Sequence, residues 1–332
     1  MKQLELKIDV SGSVAIEGPL RIAMSVFLPE AERLAEPGIA VFALPGGGYS
    51  RGYFDLRFAG REGYSQAEHH IAQGLIFVAV DHLGVGGSST TALESMRMED
   101  IALANHAAVA RIVEDLRHGR LDPSLPPLPE LFRIGIGQSM GGCITLIMQG
   151  RHRSYDAVAA LGYSAIHTRL PQPGGGVGHK QLHARDEDPA TLSLAASSAQ
   201  VGDYRYPFHW EDVPQDIVDE DMKGGYPIRR VVPAFGSATL PNCAIQMMWP
   251  GVIKDEAAAI EVPVLMAMGE RDVGAQPCAE PAAFPKSRDI GVYVVPRMAH
   301  MHNFASTRRR LWERLDAWML TLAREARPTA CH

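Results

Sequence analysis

A serine flanked by glycines has the surroundings in this chain that best suit chemistry. Ser139 lies in the run GQSMG at 137–141, between a short apolar run of strand type and a segment that can continue as a buried helix. A serine on so sharp a strand-to-helix turn needs glycine two positions before and after it, because the two backbones approach too closely for a Cβ. Such a turn exposes the serine oxygen at a helix N-terminus, where the backbone N–H of Met140 is free to point at a developing oxyanion.

Residues suited to catalysis also follow three other strand-like runs. A glycine-rich stretch at 45–48 follows one apolar run, Asp272 comes shortly after a later one, and His300 follows the last. Ligand sites in open parallel sheets lie at the carboxyl ends of the strands. We therefore expect these residues to come close to Ser139.

The pattern of apolar residues predicts the α/β class. Continuous apolar runs, typical of strands covered on both faces, lie at 39–44, 75–80, 157–162 and 262–268, and a short apolar run of strand type lies at 131–134. Helix-compatible segments lie between strands, and an amphipathic pattern is clearest over 101–116 and 311–322. This alternation predicts a mostly parallel central sheet with helices on both faces. Two alternating segments within 3–28 are predicted to form an antiparallel hairpin at a sheet edge.

The alternation lapses between about residues 166 and 260. This stretch is rich in proline, glycine and acidic residues, and it is too long for a loop in a compact domain. We predict an inserted, partly helical cap at 166–260, between a first part of the core at 1–165 and a second part at 261–332. The acidic residues of 211–221 are expected to form a solvated face.

Composition argues against several classes of protein. The 332 residues carry a formal net charge of -6, and no block of lysine and arginine suggests a nucleic-acid face. The N-terminus has charges where a signal peptide needs an apolar core, and no apolar run approaches membrane-spanning length. Cys143, Cys243, Cys278 and Cys331 lie far apart without metal-ligand spacing, which favours free thiols. We expect a cytoplasmic protein that binds no nucleic acid, spans no membrane and holds no metal or cofactor.

Five pieces of the chain, in this order, resemble the α/β-hydrolase superfamily. They are LPGGGY at 44–49, DHLGVG at 81–86, GQSMGG at 137–142, the stretch 262–272 ending in GERD, and AH at 299–300. The resemblance covers nearly the whole chain apart from the cap, and it implies the α/β-hydrolase fold. It also implies Ser139 as the nucleophile, Asp272 as the triad acid and His300 as the general base.

These roles imply a mechanism through an acyl-enzyme. The histidine removes the serine proton, while the acid fixes the tautomer of the imidazole and stabilises its charged form. The oxyanion hole is expected to use the N–H of Met140 and a second donor from the glycine-rich loop. Many members of the superfamily have His-Gly where this chain has Pro45 and Gly46, so the second donor is either Gly47 or Gly48.

Other interpretations of these residues remain open. His302 competes with His300, and the two could form a metal pair, although the sequence offers no nearby third ligand; His302 is instead predicted to line the pocket. Glu270 competes with Asp272 but could be a surface or structural carboxylate. The glycines of 135–141 resemble a dinucleotide loop only weakly, because they follow at least two parallel strands rather than the first.

Large side chains are predicted to line a substrate pocket under the cap. The candidates for contacts with the substrate are Tyr49, Trp210, Met248, Trp249 and His302. The apolar residues of the cap could instead form a small core of its own.

The sequence as a whole predicts a serine esterase that cleaves carboxylic esters or lactones of a moderately large, mostly apolar small molecule. Two alternatives use the same triad: acyl transfer to an alcohol or thiol, and cleavage of a C–C bond next to a carbonyl. A third alternative is a ligand-binding protein that has lost turnover. A homodimer is compatible with the sequence.

Overall fold

A computed structural model describes residues 2–326 of the chain. The strands are β1 (Lys2–Asp9), β2 (Arg21–Leu28), β3 (Ile39–Leu44), β4 (Ile76–Val80), β5 (Phe132–Gln138), β6 (Ala157–Leu161), β7 (Pro171–Gln172), β8 (Gly176–Val177), β9 (Val264–Arg271) and β10 (Ile290–Ala299). The α-helices are α1 (Gln66–Ile71), α2 (Met98–Arg117), α3 (Met140–His152), α4 (Leu194–Ala199), α5 (Arg205–Phe208), α6 (Gln215–Met222), α7 (Lys254–Ala259) and α8 (Arg308–Glu325).

Eight of the strands form one twisted sheet in the order β1-β2-β4-β3-β5-β6-β9-β10. The first two pair antiparallel and β2 pairs antiparallel with β4, whereas the strands from β4 to β10 are parallel to their neighbours. The predicted α/β class and the predicted edge hairpin are therefore confirmed. All the carboxyl ends of the parallel strands lie at one edge, where β3, β5, β9 and β10 deliver the residues singled out from the sequence.

Helices cover both faces of the sheet because its central strands are apolar on both sides. Neighbouring residues of β3 belong to different clusters, since Phe42 packs in one and Val41 in the other. The cluster around Phe42 includes the buried side chains of α2 and α3. The opposite cluster includes those of α1 and α8, among them Trp312. Each buried aromatic or aliphatic side chain contributes on the order of 1.5–3 kcal/mol to this packing.

The inserted segment, which we define as residues 162–263 between β6 and β9, contains only short elements. Its apolar side chains join the two clusters of the sheet: Leu194 and Ile245 pack in one, and Phe208 and Ile217 in the other. Among the described residues, no separate apolar cluster belongs to this segment alone. The alternative of a small core within the cap is therefore not what the structure has.

Two further expectations concern membranes and thiols. Among residues 2–326, no helix is both long and apolar enough to cross a membrane. Cys143 and Cys243 are buried free thiols, and Cys278 is an exposed one. Burial raises the pKa of Cys143 to about 12, so this thiol packs as an apolar group. Cys331 lies outside the described residues.

Candidate active site

Ser139 occupies a strained turn between β5 and α3. Its backbone has φ 53° and ψ -116°, a conformation that side-chain-bearing residues rarely adopt. The two flanking glycines make the turn possible: a Cβ at Gly137 would collide with the backbone of Gly141, and a Cβ at Gly141 would collide with the Leu44 carbonyl. The turn holds the Ser139 hydroxyl above the carboxyl edge of the sheet.

A line of hydrogen bonds joins the three residues expected to form a triad. The Nε2 atom of His300 lies 2.9 Å from Ser139 Oγ, and its Nδ1 lies 2.7 Å from Asp272 Oδ1. Backbone N–H groups of Gly269 and Val273 also donate to the Asp272 carboxylate, at 2.8 Å each. Asp272 is an acceptor at both oxygens, so its contact with His300 places a proton on Nδ1 and leaves Nε2 free to accept the serine proton.

Asp272 also has a second imidazole partner. The Nε2 atom of His302 lies 2.7 Å from Asp272 Oδ2, on the oxygen that His300 does not use. Burial of Asp272 opposes its ionisation, but hydrogen bonds and electrostatic attraction from the imidazoles of His300 and His302 hold the pKa of the carboxyl well below its usual range. The acid is therefore ionised throughout the physiological range.

The inserted segment and the turn around Ser139, here called the elbow, both hold the loop that carries His300. The side-chain amide of Gln138 donates to the His300 carbonyl at 2.9 Å. The N–H groups of His300 and Met301 donate to the carbonyls of Pro207 and Phe208, at 3.0 Å each. The ring of Phe208 also contacts the imidazole, with 5.5 Å between ring centroids. The His300 imidazole is thus held through both its backbone and its ring.

The glycine-rich loop lies beside Ser139, where the sequence predicts a second oxyanion donor. Gly47 borders the same pocket as Ser139 and Met140. Met140 is the first residue of α3, so its N–H has no partner within the helix. Gly46 also requires glycine, because a Cβ there would collide with the side-chain oxygen of Gln138.

Hydrogen bonds fix the beginning of this loop. The Gly46 carbonyl accepts from the Tyr49 N–H at 3.2 Å, and the Pro45 carbonyl lies 2.8 Å from His82 Nε2. His82 is fully buried at the end of β4, and its Nδ1 lies 2.9 Å from the side-chain nitrogen of Asn105. A carbonyl accepts and an amide nitrogen donates, so His82 is neutral with its proton on Nε2. Burial lowers its pKa to about 4.

His82→Gln is expected to reduce the loss of stability on acidification. The folded-state pKa of about 4 lies below the unfolded value of 6.5, so the unfolded chain binds more protons between these values and stability falls as pH falls. From pH 7 to pH 5, this single group removes about 2 kcal/mol. Urea unfolding at pH 7 and pH 5 should show a correspondingly smaller fall in the free energy of unfolding for the variant. Equal falls in both proteins would contradict the buried, neutral assignment of His82.

A pocket of about 110 Å³ lies next to Ser139 and His300. Much of its wall is apolar and comes from the inserted segment: Leu170, Leu194, Leu240, Ile245, Met247 and Met248. Among the described residues that line it, none is Asp, Glu, Lys or Arg. His179 lies 3.2 Å from Ser197 Oγ in the same wall, and burial lowers its pKa to about 4. The described wall of the pocket thus carries no carboxylate, ammonium or guanidinium group, and His179 is neutral at neutral pH.

Of the residues predicted to contact substrate, the structure brings only Met248 to this pocket. Tyr49 is buried nearby and donates to Asp221, at 2.8 Å. Trp210 lies under the guanidinium of Arg271, 4.8 Å from ring centroid to Cζ. Trp249 is 40% exposed. His302 turns away to Asp272, because β10 ends at Ala299 and the chain enters a 3₁₀ turn at 302–304.

One group of side chains, His69, His70 and Asp316, has the spacing of metal ligands. It lies between α1 and α8, and both ring nitrogens of His70 are already engaged. Nδ1 lies 2.6 Å from Asp316 Oδ1, and Nε2 lies 3.1 Å from the side-chain nitrogen of Gln66. Gln66 in turn accepts from Asn303, which fixes the orientation of its amide. The group is a hydrogen-bond network between two helices.

Comparison with solved structures identifies the fold. Neither a protein-family model nor a curated protein matches the chain. A thermophilic esterase from Thermogutta terrifontis is 13% identical with a TM-score of 0.62, covering 96% of this chain and 99% of its own. The peroxisomal α/β-hydrolase Lpx1 from Saccharomyces cerevisiae is 13% identical with a TM-score of 0.61, covering 100% and 90%. The chain has the α/β-hydrolase fold.

Another structure with this fold matches this chain over nearly its whole length. A mutant of the N-acyl homoserine lactonase AidH, solved in complex with N-hexanoyl homoserine, is 16% identical with a TM-score of 0.55, covering 99% of this chain and 100% of its own. At such identities the likeness concerns the α/β-hydrolase fold alone. The order of strands in the sheet brings residues 45–48, Ser139, Asp272 and His300 to one edge.

Proposed function

We propose that this protein is a serine hydrolase that cleaves a carboxylic ester or lactone of a small, mostly apolar molecule. The observation that carries the proposal is the unbroken line of hydrogen bonds from Ser139 through His300 to Asp272, at 2.9 and 2.7 Å. Ser139 sits on a strained turn beside a pocket whose described wall has no Asp, Glu, Lys or Arg side chain. Structural neighbours described as an esterase, a lipase and a lactonase support the same class of reaction.

The geometry supports two successive steps. Ser139 Oγ attacks the ester carbonyl while His300 Nε2 takes its proton, and the ionised Asp272 stabilises the imidazolium. The oxyanion lies near the N–H of Met140 and that of Gly47 or Gly48. The histidine then returns its proton to the leaving alcohol, which leaves an acyl group on the serine. Water, deprotonated by the same histidine, releases the acid and restores the hydroxyl.

The pocket points to a small neutral group on the substrate. Its volume of about 110 Å³ is below the ~150 Å³ of a cavity that accepts benzene. An apolar wall without charged side chains favours a neutral group over a carboxylate or phosphate. We also propose that the inserted segment acts as a cap, because its side chains form most of this wall. A short acyl chain therefore fits better than a long one.

Hydrolysis of p-nitrophenyl esters of increasing acyl length tests this proposal. We expect kcat/KM to be highest for chains of roughly two to six carbons and at least about tenfold lower for twelve carbons, because the longer chain cannot be enclosed. An acceptor alcohol added to the same assay separates hydrolysis from acyl transfer. Product that partitions mainly to the acceptor would favour a transferase, and absence of turnover with every ester would contradict a role as an esterase.

A further inference from the structure

The inserted segment reaches the glycine-rich loop through Tyr226. Its hydroxyl donates a hydrogen bond of 2.7 Å to the carbonyl of Gly47. Burial raises the pKa of Tyr226 well above its ordinary value, so the hydroxyl stays protonated and able to donate. The ring borders the same pocket as Ser139 and His300. One side chain therefore contacts both the substrate pocket and the loop that is expected to hold an oxyanion donor.

This hydrogen bond restricts the direction of the candidate donors. In a planar trans peptide the C=O and the following N–H point in opposite directions, so a partner on the Gly47 carbonyl also orients the Gly48 N–H. Gly48 has φ +77°, and its backbone passes so close to the Tyr226 ring that a Cβ would lie 2.8 Å from Cε2. The other candidate, the Gly47 N–H, belongs to the peptide between Gly46 and Gly47. That peptide is joined to the one held by Tyr226 through the Cα of Gly47.

Arg229 holds the next carbonyl of the loop. Its Nε donates to the Gly48 carbonyl at 3.2 Å, and its guanidinium pairs with Asp221 at 2.9 Å. Both side chains are fully buried. Such a pair is costly unless its remaining positions are satisfied. Asp221 meets that condition, because Tyr49 Oη and His209 Nε2 each lie 2.8 Å from its second oxygen.

Ring packing keeps Tyr226 in place. Its centroid lies 4.5 Å from that of Tyr204 and 4.7 Å from that of Phe208, the residue that contacts His300. The Arg229 guanidinium also lies over the ring, 5.6 Å from its centroid. The aromatic packing and the buried ion pair thus converge on one stretch of the inserted segment, 221–229.

We propose that Tyr226, assisted by Arg229, is a positioning residue for the oxyanion hole. It fixes the peptide between Gly47 and Gly48 so that a loop N–H faces the carbonyl under attack by Ser139. The inference rests on the proposed function. It also means that a competent hole exists only while 221–229 is packed on the loop, which couples the cap to the chemical step.

Tyr226→Phe tests the inference because it keeps the ring and removes only the hydroxyl. With a short p-nitrophenyl ester we expect kcat to fall about tenfold and KM to stay within about twofold, since a misplaced hole donor affects the transition state more than the bound substrate. Phenylboronic acid, whose tetrahedral adduct with the serine places an oxygen in the hole, should bind about tenfold more weakly. Inhibition by the carboxylic acid product should change little.

Tyr155→Phe is the matched control. This tyrosine is buried, and its hydroxyl bonds to Met148 Sδ, at 3.7 Å, and not to the glycine-rich loop. Thermal unfolding of both variants measures the cost of deleting a hydroxyl. A kcat within about twofold of the control, or a raised KM with unchanged kcat, would overturn the positioning role while leaving the esterase intact. A wild-type protein that neither hydrolyses esters nor binds the boronic acid would overturn both proposals.

Discussion

Ser139→Ala is expected to lower kcat for a short p-nitrophenyl ester by at least about 10⁴-fold, because it removes the hydroxyl that is hydrogen-bonded to His300 Nε2. Folding should be little affected. The hydroxyl makes one hydrogen bond, to His300 Nε2, and alanine relieves none of the backbone strain at φ 53° that the elbow already contains. Steady-state kinetics, corrected for the uncatalysed background rate, measure the first effect, and thermal unfolding measures the second.

The nearby serine Ser164 offers a control for Ser139→Ala. It lies beyond the end of β6, and its hydroxyl bonds to the carboxylate of Glu280 at 2.5 Å and not to His300. Ser164→Ala should keep kcat within about threefold of the wild type. A Ser139→Ala protein that retains more than about 1% of the wild-type kcat would show that another nucleophile, or direct attack by water, carries the reaction.

Asp272→Asn is expected to lower kcat by about 10⁴-fold. The carboxylate accepts four hydrogen bonds, two on each oxygen, from His300, His302, Gly269 and Val273. An amide nitrogen cannot accept, so whichever way the asparagine turns, its NH₂ group faces two donors. One imidazole and one backbone N–H then lose their acceptor: His300 and Val273 in one orientation, or His302 and Gly269 in the other. The pH profile of kcat/KM and the unfolding free energy together report these losses.

Glu270→Gln is the matched change for Asp272→Asn. Glu270 lies two residues earlier, is exposed, and accepts from the Arg297 N–H at 2.9 Å. We expect its variant to keep kcat within about twofold of the wild type. If Glu270→Gln lost activity while Asp272→Asn retained it, the assignment of the acid would be reversed.

His302 contacts Asp272 and not the pocket that the sequence predicted for it. Because its imidazole bonds only to the oxygen that His300 does not use, it orients the carboxylate without contacting the pocket. The sequence places His302 two residues after His300, which would put both on one side of a continuing strand. However, β10 ends at Ala299, before either histidine, so the two side chains do not follow the alternation of a strand. The periodicity of the sequence does not show at which residue this strand ends.

The fold was largely readable from the sequence because its central strands are continuous apolar runs. The run at 39–44 became β3 over the same residues, buried throughout. Glycines at 137 and 141 also predicted the turn at Ser139 correctly, because only a residue without a Cβ allows the two backbones to approach so closely. These are local constraints, and local patterns report them.

Contacts between the inserted segment and the core were not readable in this way. Asp221 stands in an acidic run that predicted a solvated face, yet it is fully buried against Arg229. Tyr226 bonds to a loop 179 positions earlier in the chain. Trp210 and Trp249 were selected for size, but an aromatic ring packs as readily under Arg271 or at the surface as in a pocket. Their locations depend on how residues 162–263 fold over the sheet, and no periodic pattern in the sequence reports this folding.

Labelling with a fluorophosphonate probe tests the central claim most directly. The probe phosphonylates a serine that is activated by a base, and it needs no knowledge of the natural substrate. We expect about one phosphonyl group per chain, located by peptide mass spectrometry on Ser139, with none on the Ser139→Ala variant and a labelling rate strongly reduced in Asp272→Asn. Labelling that persists in Ser139→Ala, or ester turnover by a wild-type protein that the probe does not modify, would contradict the serine mechanism.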